Sequence, residues 1–530
     1  MQKYSFHLII VRLTCLLGIS LLGLSAGCWN SQEGHIPQDG PPSQRAIAPR
    51  VTQPVVTLKL LVVGDPELAD GIKKLRGEWT ERTGGGQLQV LQWSSPKLVA
   101  AESLPADLVI YPARYLGIQV EKKWLRPLRA SALQSEQFAK ADLLAAIRSR
   151  EISYGGIVYA FPFGSPPLLL CYNSQMLTAA GCEVPQTWDD YRIVVQRLNR
   201  QSIPCQLPLA GESAAITLLS RAVSYAHQSG QRALLFDLDS FHPHIAGPPF
   251  VRALEEIVAE VSASKRPNGE KADLGDTVSA VSPPGIFQDA VKRVALGQAA
   301  MTLGWPGVYC PLIPEDEIPE ERRRPNEVHY APLPRAKTVY RDTQDQWVIN
   351  RDDTPVTLLG VAGRLASVTT TSRNAVSAFK LLRWIGSGDT AIEISSDSRF
   401  TLWYRHSQVK VSNRWQANCQ GLSAPEFAAT TELTTTKERA TKERATEKDF
   451  RRQGIGRIVT HALSSDNCFL LPRISGMDQY LECLSQAVRN AIAGESAKAA
   501  LEQATIEWEM ITEQMGREML QLAYRAHLDY

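Results

Sequence analysis

Ile152-Ser-Tyr-Gly-Gly-Ile-Val-Tyr-Ala-Phe-Pro-Phe-Gly-Ser-Pro-Pro-Leu-Leu-Leu-Cys-Tyr-Asn173, followed shortly by Pro185-Gln-Thr-Trp-Asp-Asp190, changes backbone character three times in a short span. Gly155-Gly156, flanked by β-branched and aromatic residues, predicts a tight hairpin. Phe161-Pro-Phe-Gly164 is not an ordinary central strand, because proline donates no ladder hydrogen bond. Leu168 to Tyr172 then reads as a strand buried on both faces. A chain that leaves one sheet and at once starts another marks a crossing between two domains.

Working outward, 530 residues exceed what one hydrophobic core holds, so two or more domains are expected. Hydrophobic residues make up 44% and charged residues 21%, the balance of a globular protein. A formal net charge of +2 gives no bulk electrostatic reason to bind nucleic acid or an anionic membrane. The N-terminus has another logic. Lys3 and Arg12 flank the apolar run Leu13 to Leu24, which ends in Ser25-Ala26-Gly27 before Cys28, the plan of a secretory signal. That run is short for a membrane span. Residues 29 to about 54, rich in Pro, Gln, Ser and Gly, read as a flexible tether.

From Val56 the order is strand (Val56–Val63), helix start at Asp65 or Pro66, and strand (Gln87–Trp93), a βαβ opening that calls for a parallel sheet. Leu68, Ile72, Leu75 and Trp79 share one helical face. Ala106–Tyr111 is a third buried strand. Helices are predicted over Trp188–Asn199, capped by Thr187 or started near Asp189, and over Ala214–His227, Phe250–Ser262, Phe287–Gly297 and Asn374–Ile385. Two more run from Met477 to Tyr530, broken at Gly494. Thr436-Lys-Glu-Arg-Ala440 repeats as Thr441-Lys-Glu-Arg-Ala445, marking 430–450 as a solvated insert. Seven cysteines follow Cys28, none in CxxC spacing, so redox and metal motifs are absent. Cys171–Cys182 and Cys419–Cys468 stay open as disulfides. Asp237, Asp239, His242 and His244 have ligand residue types at close spacing, yet a metal is not expected there.

Two resemblances add to this. Leu24-Ser-Ala-Gly-Cys28 resembles the bacterial lipobox, with Leu24 one place early, which implies cleavage before Cys28 and diacylation of its thiol. Along the mature chain the ordered pieces are Gly64-Asp65, Asp107–Tyr111, Trp124-Leu-Arg-Pro-Leu128, Tyr154–Pro162, Tyr172-Asn173, Pro185–Trp188, Gly297–Pro306 and Ala331-Pro-Leu-Pro334. Together they resemble the extracellular solute-binding proteins of ABC importers, in the carbohydrate-binding branch that includes maltose-binding protein. The resemblance implies an α/β class: a two-lobed periplasmic-binding-protein type II fold with hinge strands, capped here by the C-terminal helices. It implies a signal peptide over 1–27, a tether over 28–54, a first lobe over 55–162 and a second over 163–331. A return to the first lobe over 332–395 and a second-lobe completion over 396–530 follow. Crossings are implied near Ala160–Ser165, near Pro332–Lys337 and after the Asn374–Ile385 helix.

Sugars present apolar C–H faces and a rim of hydroxyls, so their sites pair flat aromatic rings with polar side chains. Trp305, between glycine turns after a strand, is the leading candidate, with a lobe-core tryptophan as the alternative. Tyr111 ends a strand that faces the cleft in the family, and Phe161 sits at the crossing. Asp65 suits two sugar hydroxyls or a helix cap. Arg114 suits hydroxyls, an anionic group or plain solvent. Arg399, Trp403 and Tyr404, with Ser396, fall where the family's late cleft loop lies. Trp188 reads as helix-start packing. The implied function is a non-enzymatic receptor, lipid-anchored through Cys28 on the periplasmic or cell-surface side of a bacterial membrane. It is a monomer with no cofactor that carries a carbohydrate or polyol to ABC permease subunits. A lipid-anchored carbohydrate hydrolase working through a carboxylate pair, and a sensor or scaffold without a permease, stay open. No Gly-x-Ser-x-Gly, P-loop or dinucleotide fingerprint appears.

Overall fold

The computed structural model describes residues 56–135, 138–227, 232–263, 286–306, 328–395, 398–409 and 447–530. The leader, Cys28, the tether, Ser396, Cys310, Cys419 and most of the 430–450 insert lie outside the described residues. The strands, in chain order, begin with β1 (Thr57–Val63), β2 (Gln87–Trp93), β3 (Leu108–Pro112), β4 (Ser153–Tyr154), β5 (Ile157–Val158), β6 (Phe161–Pro162) and β7 (Leu169–Asn173). They continue with β8 (Met301–Gly304), β9 (Val328–Ala331), β10 (Thr338–Arg341), β11 (Gln346–Ile349), β12 (Thr357–Leu359), β13 (Arg364–Val368) and β14 (Cys468–Leu470).

A five-stranded sheet in the order β2-β1-β3-β13-β6 forms the first lobe. Its first three strands pair in parallel, as a βαβ opening requires, while β13 runs antiparallel between β3 and β6. Pro162 sits on the edge strand β6, where its missing N–H costs no ladder bond. Gly155 and Gly156 (φ 58° and 71°) turn the β4–β5 hairpin, with both residues left-handed as a type I′ turn demands. The second lobe is built on a three-stranded sheet, β8-β7-β9. All of β7 is buried, but its neighbours are antiparallel. A strand central to a covered sheet reads as a continuous apolar run whichever way its neighbours point.

Two apolar clusters follow the two sheets. Leu60, Val62, Ile110, Leu365 and Leu381 belong to the first. Tyr172, Trp188, Leu218, Ile257, Met301 and Leu484 belong to the second. Local capping works as the sequence suggests: Thr187 and Asp190 close a capping box at the head of the Trp188–Arg200 helix. The C-terminal region holds three helices rather than two, Met477–Ala493, Ala497–Met515 and Arg517–His527, because Gly516 (φ 95°) adds a second break after Gly494. These helices complete the second lobe: Trp508 donates to the Tyr480 carbonyl at 2.8 Å and stacks on Phe236. No helix among the described residues is long and apolar enough to cross a membrane. Cys171 and Cys182 are free thiols, so that pair forms no disulfide here.

Three segments carry the chain between the clusters. Residues 163–168 lead from Phe163 in the first to Leu168 in the second. Gly360–Gly363 lead from β12 into β13, and residues 471–474 lead from β14 to Ile474 in the second cluster. β12 and β14 pair in parallel, so the last two crossings run side by side. The return toward the first lobe comes after Leu359, not near Pro332–Lys337. There Leu333 and Ala336 sit in the second cluster, and Arg335 pairs its backbone with Gln186 and Trp188.

Candidate functional site

Asp65, at the end of β1, caps the Pro66–Lys74 helix by accepting from the Leu68 amide at 3.0 Å. Its other oxygen accepts from Ser398 Oγ at 2.6 Å and pairs with Arg364 Nε at 3.1 Å. Arg364 opens β13 after the Gly360–Gly363 turn and spends its terminal nitrogens on the Gly64 and Gly363 carbonyls. Its guanidinium lies 4.2 Å from the centre of the Phe400 ring. Asp65 is 2% exposed, and this burial raises its carboxyl pKa against the opposing pull of Arg364, Ser398 and the Leu68 amide.

The 398–400 turn links this pair to the other lobe. Arg399 bridges to Glu67 at 2.9 Å, and its carbonyl accepts from Trp305 Nε1 at 3.3 Å. Trp305 follows β8 of the second lobe, packs on Phe287 and is 6% exposed. Asp65, Arg399 and Trp305 are thus brought into one connected network. Arg114 stands apart as a bridge between lobes: after β3 it reaches Glu212, at the head of the Glu212–Ala226 helix, at 2.7 Å, and Asp478 at 3.6 Å. Against the desolvation of burial, those carboxylates hold its pKa above the ordinary guanidinium value.

Four other sequence candidates sit inside the first lobe. Tyr111 is fully buried, its hydroxyl 2.9 Å from Ser367 Oγ. Phe161 meets Phe138 edge-on, Tyr404 donates to the Gly386 carbonyl, and Trp403 is 1% exposed. Sequence reasoning missed Arg364, Ser398 and Phe400. The signal for Arg364 was present: Gly360 and Gly363 mark a turn feeding a strand end, the same device that singled out Trp305.

A depression of about 500 Å³ in the second lobe is lined by His242, His244, Phe250, Tyr340 and Asp342 among others. It shares no residue with the network at Asp65. Its polar groups are engaged separately, His242 with Glu509 and Asp237 with the Ser240 turn. Among the described residues no three His, Cys, Asp or Glu side chains are grouped to hold a metal ion. The interlobe network is therefore the better-built candidate.

The family model for bacterial extracellular solute-binding protein matches residues 80–401, more than half the chain. The chain belongs to that family. No curated relative matches it by sequence. Solved structures share the solute-binding fold at low identity. A solute-binding protein from Agrobacterium radiobacter in complex with ribitol is 18% identical, covering 85% of this chain and 98% of its own, with a TM-score of 0.55. The sugar-binding protein MalE from Xanthomonas citri is 15% identical, covering 87% and 98%, with a TM-score of 0.60. One from Agrobacterium vitis with bound D-mannitol is 15% identical, covering 87% and 99%, with a TM-score of 0.55. Trp305, the 398–400 turn and Arg114 are among the residues that meet across the lobe junction.

Proposed function

We propose that this protein captures a sugar or polyol between its lobes and hands it to an ABC permease, held at the membrane through lipidated Cys28. The observation that carries the reading is the network Asp65–Ser398–Arg399–Trp305. It joins an indole from one lobe, through the Arg399 carbonyl and Ser398, to the buried Asp65–Arg364 pair of the other. Flat rings take the C–H face of a sugar, and ionised groups take its hydroxyls with charge-assisted bonds. Solved structures of this fold with ribitol and D-mannitol support a polyhydroxylated solute. Opening the lobes frees Trp305 Nε1 and the Arg399 carbonyl for a ligand, while Arg114 bridges the lobes as a latch. Closure around the ligand then presents the permease with the bound form. Tyr111, Phe161, Trp403 and Tyr404 back the site from the first-lobe core and do not touch solute.

The test is thermal unfolding against a panel of pentitols, hexitols and maltodextrins. A bound solute at a hundredfold over its Kd stabilises the protein by about 2.7 kcal/mol. Trp305→Ala weakens that ligand about tenfold, or ~1.4 kcal/mol, while Trp305→Phe, which keeps a ring against Phe287, retains most of the affinity. Full affinity in Trp305→Ala defeats the site assignment. Release of reducing sugar from a maltodextrin defeats the receptor reading in favour of a hydrolase.

A further inference from the structure

Glu151 ends a short turn, Ile147–Glu151, in the first lobe, and its side chain is fully buried. It touches all three crossings. Oε2 accepts a short hydrogen bond from Ser165 Oγ in the 163–168 crossing. Oε1 lies against Gly363 in the second crossing, where a Cβ on that glycine would sit 3.4 Å away. The Glu151 carbonyl accepts from Arg473 Nη1, in the third crossing, at 2.8 Å. The first two crossings are also tied directly, Arg364 N to the Gly164 carbonyl at 2.9 Å and Phe163 N to the Arg364 carbonyl at 2.8 Å. Oε1 has no hydrogen-bond partner among the described residues.

The charged and titratable groups around this point look elsewhere. Arg473 directs Nε to His527 Nδ1 and Nη2 to the His527 carbonyl, so its contact with Glu151 is through the main chain. Arg150 donates to the Cys468 carbonyl and sulfur. Tyr154 donates to Glu121 and to the Ala523 carbonyl, and Asp529 accepts from the Gly156 amide. Burial and then Arg473 push the His527 pKa well down, and its Nε2 faces the Leu470 carbonyl. None of them donates to the Glu151 carboxyl. An ionised carboxylate here is desolvated with one oxygen bare.

We propose that Glu151 is the positioning residue of the hinge: its neutral carboxylic acid lets the three crossings pack in the closed arrangement, and its ionisation favours their separation. Burial supports this, pushing the carboxyl up to about 7 against Ser165 and Arg473. The raised value fixes the sign. The stability the neutral acid lends the closed form is fully present below the ordinary carboxylate range near 4.5 and is lost as pH rises through about 7. If opening hydrates Oε1 and returns the acid to its ordinary value, the closed-to-open ratio falls about tenfold from pH 6 to pH 8.

The inference rests on the solute-capture reading, and two measurements keep the two separable. Small-angle scattering of the ligand-free protein follows lobe separation, and calorimetry with D-mannitol, ribitol or maltose follows affinity. The expected result is a radius of gyration that grows, and an affinity that falls, between pH 6 and pH 8 in the wild type. Glu151→Gln, which mimics the neutral acid, shows neither change. Ser165→Ala removes the one side-chain donor to the carboxylate, so it moves the midpoint to higher pH, and it serves as a second variant should Glu151→Gln not fold. A Glu151→Gln protein that keeps the wild-type pH slope overturns the proposal. So does a wild type whose radius is constant across that range. If no solute in the panel binds, capture fails as a reading, yet the scattering still decides Glu151.

Discussion

Arg364 and Asp65 meet inside the first lobe with side chains 3% and 0% exposed. Removing one partner of such a pair leaves the other as an uncompensated buried charge, which costs about 3–5 kcal/mol. Arg364→Met is therefore expected to lower the unfolding free energy extrapolated from urea titration by that margin, and Asp65→Asn combined with Arg364→Met to recover much of it. A double variant as unstable as the single one would place the loss in the Gly64 and Gly363 carbonyl contacts instead. Half of this pair was legible. Asp65-Pro66-Glu67 is a local helix-start signal, and the structure places Asp65 as that cap. Its partner comes from far along the chain, beyond the reach of any local pattern. The same limit governs the aromatics. A tyrosine at a strand end looks alike in sequence whether the strand ends at a cleft or, as Tyr111 does, between covered neighbours.

Elements with local causes matched their sequence signals, and elements with distant causes shifted. The Thr187 cap, the Gly155-Gly156 turn and the edge position of Pro162 follow from side-chain hydrogen bonding, positive φ and a missing N–H. The later crossing was less legible, because β10 and β11 form a hairpin that packs back onto the second lobe's Glu212–Ala226 helix, Trp347 meeting Tyr225 edge-on, and this postpones the return. Gly164 shows what a crossing demands of its backbone. Its φ is 118°, and a Cβ there would lie 2.3 Å from the Leu402 amide nitrogen and 2.8 Å from the Thr401 Cα. Gly84 also has positive φ (66°), but nothing stands within 4 Å of its Cβ position. Gly84→Ala should thus cost about 1 kcal/mol of left-handed strain, and Gly164→Ala about 2–4 kcal/mol, because backbone must also move. Thermal unfolding of the two variants side by side sets a left-handed site with open space around it against one where a more positive φ and a backbone clash act together. Equal losses would mean that the 401–402 segment yields without cost.

At the scale of the molecule the question is what holds two separately cored lobes together between ligands. The crossings make them one chain, and the last two run side by side. Among the described residues several side-chain contacts bridge the junction, Tyr115 to Asp478, Tyr154 to the Ala523 carbonyl and Asp529 to the Gly156 amide among them, and Arg114 faces two carboxylates at once, Glu212 and Asp478. Glu212 is 40% exposed, so screening keeps the bridge to about 1 kcal/mol, or roughly fivefold in an equilibrium. That small value suits a clamp, since a stronger latch would hold the lobes shut without solute. It also fixes the expected behaviour of Arg114→Met. The variant retains the fold, because both lobe cores are untouched, but its closed form loses the bridge, so solute affinity falls about fivefold and appears mainly as faster release. Raising ionic strength weakens wild-type affinity toward the variant's and leaves the variant unchanged. Glu212→Gln should show much of the same loss. If Arg114 instead binds solute directly, Arg114→Met loses affinity while Glu212→Gln does not, and stopped-flow measurement of release for the two variants tells a latch from a ligand contact.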